Sequence, residues 1–559
     1  MRVLGIEGTA WCASAALHDA ETDTTVIESD PYEPESGGIH PREAAEHMTE
    51  AIPRVVGRVL DHAEAEYGPD AVDAVAFSRG PGLGPCLRTV GTAARALAGT
   101  LDVPLVGVNH MVAHLEIGRH ESGFENPVCL NASGANAHLL GYHDGRYRVL
   151  GETMDAGVGN AIDKFTRHVG WSHPGGPKVE AAAAEFADAG TAESDLLDLP
   201  YVVKGMDFSF SGISSAANDA YDDGVPVEEI CFALQEHVFA MLTEVSERAL
   251  SLTGADELVL GGGVGQNERL RGMLATMCAD RGAEFYAPDP KYLRDNAGMI
   301  AVLGAKMARA GDTLPIRGSA IDPNFRPDQV PVTWRTDASS VARVDRPNGS
   351  AIRSTAETEP DQRGAEAVVE ILADRVIKRR VEKSYRHPEL DRTLRRERTV
   401  SEARLTSEAR RAGVSTPLVY DVDVANATLT LQRVGDRDLA AGLTPARAAA
   451  VGRHLARLHG AGIVHGDPTT RNVRVERESD GRIGDDGDLA VQLIDFGLGY
   501  HSGHVEDHAM DLHVFEGSVV ATAVDPGPVV EAFEDGYRAV GEVDVLERLR
   551  DVERRGRYR

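Results

Sequence analysis

At 559 residues the chain exceeds one ordinary core and has length for roughly three or four domain-sized units. It carries 88 Asp and Glu against 58 Lys and Arg, only seven of them lysine, and a formal net charge of −30; at 42% hydrophobic residues this is a folded chain with a self-repelling acidic surface, suited to a cytosol whose concentrated salt screens repulsion and ill suited to general nucleic-acid binding. No apolar run reaches bilayer-spanning length, the start "MRVLGIEGT" does not read as a signal peptide and the five cysteines include no CxxC pair, so a soluble, cytoplasmic protein is expected, with no membrane contact, disulfide framework or zinc ribbon.

In chain order, "RVLGIEGTAWCASAALHD" reads as strand, tight turn, strand, and "DAVAFSRGPGLG" and "PLVGVNH" as strands running into Gly-rich or helical segments. "VNHMVAHLEIG", residues 108–118, then sets His110 and His114 about one helical turn apart, on one face. Two readings stay open for that pair: a partly buried helix face, or two ligands of one metal. "NPVCLNASGANAHLLGYHDGRYRVLGET" repeats the opening hairpin pattern, which predicts a duplicated α/β fold with a cleft between two lobes. "DELVLGGGVGQNERLRGML" is strand, glycine turn and helix, a common way to aim backbone N–H groups and a helix N-terminus at phosphate. Residues 326–360 lose periodicity and gain Pro, Ser, Thr and charge, and read as a linker. Periodicity resumes at "GAEAVVEILADRVIKRR" and continues to the end. One window there, residues 375–398, departs from the acidic average with ten Lys and Arg against four Asp and Glu. Either a solvated helix or a polyanion site accounts for it, and contact with tRNA through Arg379, Arg380 and Arg396 is the sharper expectation.

"IVHGDPTTRN" places Asn472 five positions after Asp467, and "VQLIDFGLG" places Asp495 before Phe-Gly. That chemistry is phosphoryl transfer: Asp467 accepts a hydroxyl proton, while Asn472 and Asp495 supply hard oxygen ligands to Mg(II) on ATP phosphates. Lys378 in "DRVIKRR" is the candidate phosphate-pairing lysine and Glu402 in "SEARLT" its ion-pair partner. The nucleotide loop "QRGAEAVVEI" has a single glycine, the activation segment is nearly absent and no APE triplet follows, so a small atypical kinase or ATPase fits better than a broad protein kinase. "VIKRRVEKSYRHPELD", "HGDPTTRN" and "DFGLG" together resemble the small atypical kinase associated with the KEOPS complex, over residues 361–559. The resemblance implies a bilobal kinase-like α+β domain, and the Arg-rich end "RRGRYR" is similar to that family's tail. Pro468 departs from it without moving Asp467 or Asn472 out of register.

Farther upstream, "GGIHPREAAEH", "SRGPGLGPCLR", "VNHMVAHLEIG", "GNAIDKFTRHVG", "HPGGPKVE", "GMDFSFSG" and "DNAGMIA" resemble the universal threonylcarbamoyl-adenosine tRNA synthase family, over nearly all of residues 1–325. That resemblance implies an actin/Hsp70-like ATPase fold. It implies a metal held by His110, His114 and Asp295, with Fe(II) favoured and Zn(II) second. Relatives often add a tyrosine where this chain has Asn131; the amide oxygen, a water, or a weaker metal site are the open consequences. It also implies that Asn131, Ala132, Ser133, Gly134 and Ala135 hold the threonylcarbamoyl and phosphate parts of threonylcarbamoyl-AMP, and that Asp163, Gly176, Glu180 and Asn267 hold its adenosine. The expected reaction transfers the threonylcarbamoyl group to N6 of adenosine 37, in tRNAs reading codons that begin with A, with other KEOPS subunits as partners. The two families fused in this order, on so acidic a chain, point to a haloarchaeal source.

Three rivals stand beside that reading. A metalloprotease shares the histidine spacing, but Met111 stands where its Glu base would be. A signalling kinase with an actin-like regulatory module would phosphorylate varied proteins and ignore tRNA. A catalytically silent scaffold is at odds with intact Lys378, Asp467, Asn472, Asp495 and both histidines.

Overall fold

Small, apolar residues dominate the opening hairpin, and every residue of the "CASAALHD" strand is buried. A computed structural model describes residues 1–32, 40–134, 136–143, 145–191, 196–335, 362–476 and 491–555. Its first sheet comprises β1 (Arg2–Glu7), β2 (Cys12–Asp19), β3 (Thr24–Pro31), β4 (Ala74–Gly80) and β5 (Leu105–Asn109), in the order β3-β2-β1-β4-β5. Helices α1 (Pro41–Tyr67) and α2 (Gly84–Leu101) link its strands, and α3 (His110–Ser122) leaves its end. The second sheet comprises β6 (Val128–Ala132), β7 (Ala137–His143), β8 (Arg146–Glu152), β11 (Glu257–Gly261) and β12 (Glu284–Tyr286), in the order β12-β11-β6-β7-β8. In each sheet the first three strands are consecutively antiparallel and the last two add in parallel beside the first. Same order and same polarity twice over is the duplication expected from the sequence.

The stretch between β8 and β11 carries α4 (Val158–His168), α5 (Gly176–Phe186), the short pair β9 (Val203–Lys204) and β10 (Asp207–Phe208), α6 (Ser211–Asp222) and α7 (Val227–Thr253). Helix α8 (Glu268–Arg281) joins β11 to β12, and α9 (Pro290–Leu293) leads to α10 (Ala297–Arg309), which returns to pack on the first sheet. That return depends on Gly5: a Cβ there would lie 2.5 Å from the Ala297 carbonyl oxygen. Helix α7 is buried nearly all round, including Glu236, His237, Glu244 and Glu247, which marks it as an element with protein on every side.

Residues 326–335 correct the expected linker. Val330 and Arg335 are buried, and Trp334 stacks on Tyr147 at 6.3 Å, so the chain stays packed through Arg335 because its apolar side chains find cover beside the second sheet. The remainder of the expected linker, residues 336–360, lies outside the described residues.

A third, fully antiparallel sheet follows, made of β13 (Gln362–Arg363), β14 (Ala367–Ile371), β15 (Arg375–Arg380), β16 (Val419–Asp423) and β17 (Thr428–Gln432), with α11 (Pro388–Arg411) packed against it. Beyond β18 (Arg437–Asp438) the chain is mainly helical: α12 (Pro445–Gly460), α13 (Val505–Thr522), α14 (Gly527–Arg538) and α15 (Val543–Arg555) share one apolar core with the short strands β19 (Ile463–Val464), β20 (Val473–Val475) and β21 (Val491–Leu493), and β22 (Tyr500–His501) pairs with β19. No helix among the described residues is long and apolar enough to cross a membrane.

Candidate metal centre and nucleotide clefts

Strand β5 delivers the chain to α3, where the Asn109 side chain caps the helix by accepting from the Val112 N–H. His110 and His114 therefore leave the first turns on one buried face. The Gly5 contact brings the start of α10 over β1, and Asn296 caps that helix, leaving Asp295 in the turn just before it. Asp295 Oδ1 lies 3.4 Å from His110 Nε2 and 3.3 Å from His114 Nε2, and no other described trio of His, Cys, Asp and Glu converges in this way. Burial opposes charge on His110, yet the Glu7 and Asp295 carboxylates raise it to about 10. Burial, with His110 beside it, lowers His114. Asp295 is held well below the carboxylate range against its burial, chiefly by His110.

Glu7, which the motifs did not single out, is fully buried at the end of β1. It accepts from Ser78 Oγ and the Thr9 N–H and lies 3.2 Å from His110 Nδ1. An acid closing the apolar run of β1 was the available signal. Three buried donors or acceptors near this centre, His114 Nδ1, Asn131 Oδ1 and His138 Nδ1, have no hydrogen-bond partner among the described residues. Two imidazoles, a carboxylate and spare polar atoms make a possible metal site.

Asn131 is the penultimate residue of β6, in register with Gly261 on β11. A side chain at Gly261 would meet Asn131 Oδ1 and His114 Cβ, each at 3.5 Å, so Asn131 faces the histidine helix. The next residue, Gly262, has φ +83°, and a Cβ there would lie 2.3 Å from the Ala132 carbonyl oxygen; only glycine fits. Ala132 completes β6, Ser133 Oγ closes a turn onto Asn136, and the Gly134 carbonyl accepts from the Asn160 N–H near the start of α4. Ala135 lies outside the described residues. Asp163, on α4, accepts from the Gly175 N–H and so fixes the turn into α5, which starts at Gly176. Glu180 on α5 accepts from the Glu268 N–H at 2.8 Å, while Asn267 caps α8 and donates to Gln235 of α7. Hydrogen bonds thus link the elements that carry the predicted adenosine residues, from the β6 loop through α4 and α5 to the head of α8.

In the C-terminal region, Lys378 of β15 meets Glu402 of α11 at 2.9 and 3.0 Å and Asp495 at 2.7 Å. Asn472 donates to Asp467 Oδ2 at 2.9 Å, and Asp511 of α13 fixes the loop by accepting from the His465 and Gly466 N–H groups. Asp495 sits in the left-handed region at φ +66°. Burial works against its charge, but Lys378 and Arg380 outweigh burial and hold it at about 2. Burial raises Glu402, and it raises Asp467 to about 7 although Arg248 pulls the other way. Four of the five predicted nucleotide-handling residues, Lys378, Asp467, Asn472 and Asp495, line one cavity of about 210 Å³, while Glu402 is not part of its lining and reaches it only through Lys378. Met206, Arg248, Ser251 and Leu252 line it too, from the N-terminal region.

The basic window departs from its expectation in part. Lys378, Arg380, Lys383, Arg386 and Arg398 are buried and paired: Lys383 with Glu247, Arg386 and Arg398 with Glu244, Arg380 with Glu366 and Glu402. The surplus of positive charge answers the buried acids of α7 and the 366 loop, and Arg380 is closed to any polyanion. Arg379 and Arg396 remain exposed.

Comparison with known proteins agrees with this architecture. Residues 22–302 match the family model for tRNA N6-adenosine threonylcarbamoyltransferase. A probable bifunctional tRNA threonylcarbamoyladenosine biosynthesis protein of Haloquadratum walsbyi is 64% identical, covering 100% of both chains. Proteins of the same description from Halobacterium salinarum and Methanospirillum hungatei are 66% and 49% identical, each covering 100% of this chain and 99% of theirs. The chain belongs to the tRNA N6-adenosine threonylcarbamoyltransferase family, as an enzyme of tRNA threonylcarbamoyladenosine modification.

Proposed function

We propose that residues 1–335 form an actin/Hsp70-like transferase module whose His110, His114 and Asp295 hold one divalent metal, Fe(II) in preference to Zn(II), and that residues 362–555 form a small kinase-like module that binds ATP with Mg(II). The observation that carries the first part is the convergence of two imidazole Nε2 atoms on one Asp295 oxygen, backed by the Glu7 carboxylate. Such a set is a trap for positive charge, and Asn131 Oδ1 is a neutral donor free to join it. The metal, when bound, supplies Lewis-acid polarisation of an acyl oxygen.

The chain's own residues bind and orient the acyl donor. The 131–135 loop holds the threonylcarbamoyl and phosphate parts of threonylcarbamoyl-AMP, and Asp163, Gly176, Glu180 and Asn267 hold its adenosine. The N6 of adenosine 37 attacks the activated carbonyl; the new C–N bond forms, the C–O bond to phosphate breaks, and AMP leaves with that electron pair while N6 gives up a proton. The target base reaches the cleft unstacked, as an anticodon loop allows. Support for the second module is the Lys378–Glu402–Asp495 cluster facing Asp467 and Asn472. Its ATP turnover regulates the transfer within a KEOPS assembly.

The test is a reaction of the purified chain with threonylcarbamoyl-AMP and tRNA, with and without KEOPS subunits. Modified adenosine 37 is the expected product. Asp295→Ala is expected to strip the metal, read by elemental analysis, and to lower product more than about 100-fold. A metal-free parent of full activity would remove the reading.

A further inference from the structure

Arg248 lies near the C-terminal end of α7, in the transferase module, yet its guanidinium points into the cavity of the kinase-like module. Nη1 donates to Asp467 Oδ2 at 2.8 Å, and Nη2 pairs with Glu366 of the nucleotide loop. Nε and Nη2 also reach Glu244, one helical turn back, at 3.1 Å. The side chain is only 10% exposed and its charge is held by three carboxylates. Nη1 carries a second N–H for which no acceptor is present among the described residues, and the cavity it borders is the one lined by Lys378, Asn472 and Asp495.

Resting on the kinase-like reading of this cleft, we propose that Arg248 is a catalytic residue of its phosphoryl-transfer site, supplied by the transferase module, and that it makes water the phosphoryl acceptor. Asp467 Oδ2 is the oxygen an incoming hydroxyl must address, and Arg248 and Asn472 already donate to it. A serine or threonine on a polypeptide would have to displace a guanidinium clamped by Glu244 and Glu366 and pass Leu252, whose carbonyl accepts from Arg471. A water molecule needs no such opening. In the reaction, the water oxygen bonds to the γ-phosphorus of a nucleoside triphosphate as the bond from that phosphorus to the β–γ bridging oxygen breaks. The electron pair leaves with the diphosphate and one water proton passes to Asp467. The spare Nη1 N–H of Arg248 donates to the γ-phosphoryl oxygens, where charge is largest during transfer.

The experiment uses the full chain with γ-labelled ATP, following released phosphate and label on protein. The expected result is that Arg248→Ala lowers phosphate release at least about 100-fold with the KM for ATP changed less than about threefold. Arg248→Lys, which keeps the charge but not the fork, is expected to recover less than a tenth of the loss. Millimolar guanidinium added to Arg248→Ala restores release in a saturable manner, an effect that a purely structural role would not give. The parent is expected to label casein far more slowly than it labels water. Undiminished release from Arg248→Ala, or a parent that prefers casein to water, overturns the proposal, provided Asp467→Asn abolishes release. A parent releasing no phosphate, unaltered by Asp467→Asn, sinks the kinase-like reading itself and this inference with it.

Discussion

At the candidate metal centre the converging side chains all come from one half of the molecule, and buried atoms such as His114 Nδ1 and Asn131 Oδ1 have no hydrogen-bond partner among the described residues. At the C-terminal cleft the charges are matched in place, and part of the matching comes from the other half, through Arg248 of α7. Spare donors suit the cation proposed for the first site, and cations held on carboxylates suit the phosphate proposed for the second. The first centre is self-contained. The second draws part of its lining, Arg248 among it, from the other half.

Severing the seam is the strongest way to break this contrast. Glu244 is 1% exposed beneath Arg248, Arg386 and Arg398, so Glu244→Ala strands buried guanidinium charge. A loss of about 3–5 kcal/mol is expected, read as a lower melting temperature and a separate early transition, with ATP turnover falling alongside. Full ATP turnover in a chain with that seam opened would show that the second cleft stands alone. A subtler cut tests the self-sufficiency of the first centre. Glu7→Gln removes the carboxylate behind His110, and metal affinity is expected to drop about 10–100-fold in titration while melting of the C-terminal half is unchanged.

The mildest test is pH. Burial raises Asp467 to about 7, with Arg248 opposing and Asp495 and Glu366 adding to the rise; Lys378 faces the same cleft from β15. In the proposed reaction the ionised carboxylate receives the water proton, so ATP hydrolysis should fall about tenfold per unit below pH 7 and level off above it. In Arg248→Lys, whose contact with Asp467 is looser, that limb is expected to move upward. A limb near the ordinary carboxylate value of about 4 would dissolve the link between the halves.

Much of the N-terminal architecture could be read in advance because its information is local. The repeated hairpin pattern announced two sheets of one topology, and His110, His114 and Asp295 each sit in a recognisable segment. Lys378, Glu402, Asp467, Asn472 and Asp495 were legible for the same reason. Glu7, Arg248 and Glu366 were not: each matters through a neighbour distant in sequence, and nothing in "EVSERAL" says that its arginine ends beside Asp467. The 375–398 window was misread at Arg380 and its buried neighbours because a running count of charge cannot distinguish a solvated cation from one sealed against an acid on another helix. Its partners, Glu244 and Glu247, were in view as two more acids in an acidic chain. Likewise "RPDQVPVTWR" looked like linker until Val330 and Trp334 found cover, which polarity and proline content could not foretell.

Helix α7 touches Asn267 through Gln235 and Asp467 through Arg248, contacts about 20 Å apart along one continuous rod. An axial slip or a rotation at one end has no slack in which to disappear, since the rod is enclosed on all sides. If both proposed nucleotide sites are occupied, a shift of this rod by one ligand would be felt at the other, and by reciprocity any such coupling is equal in both directions.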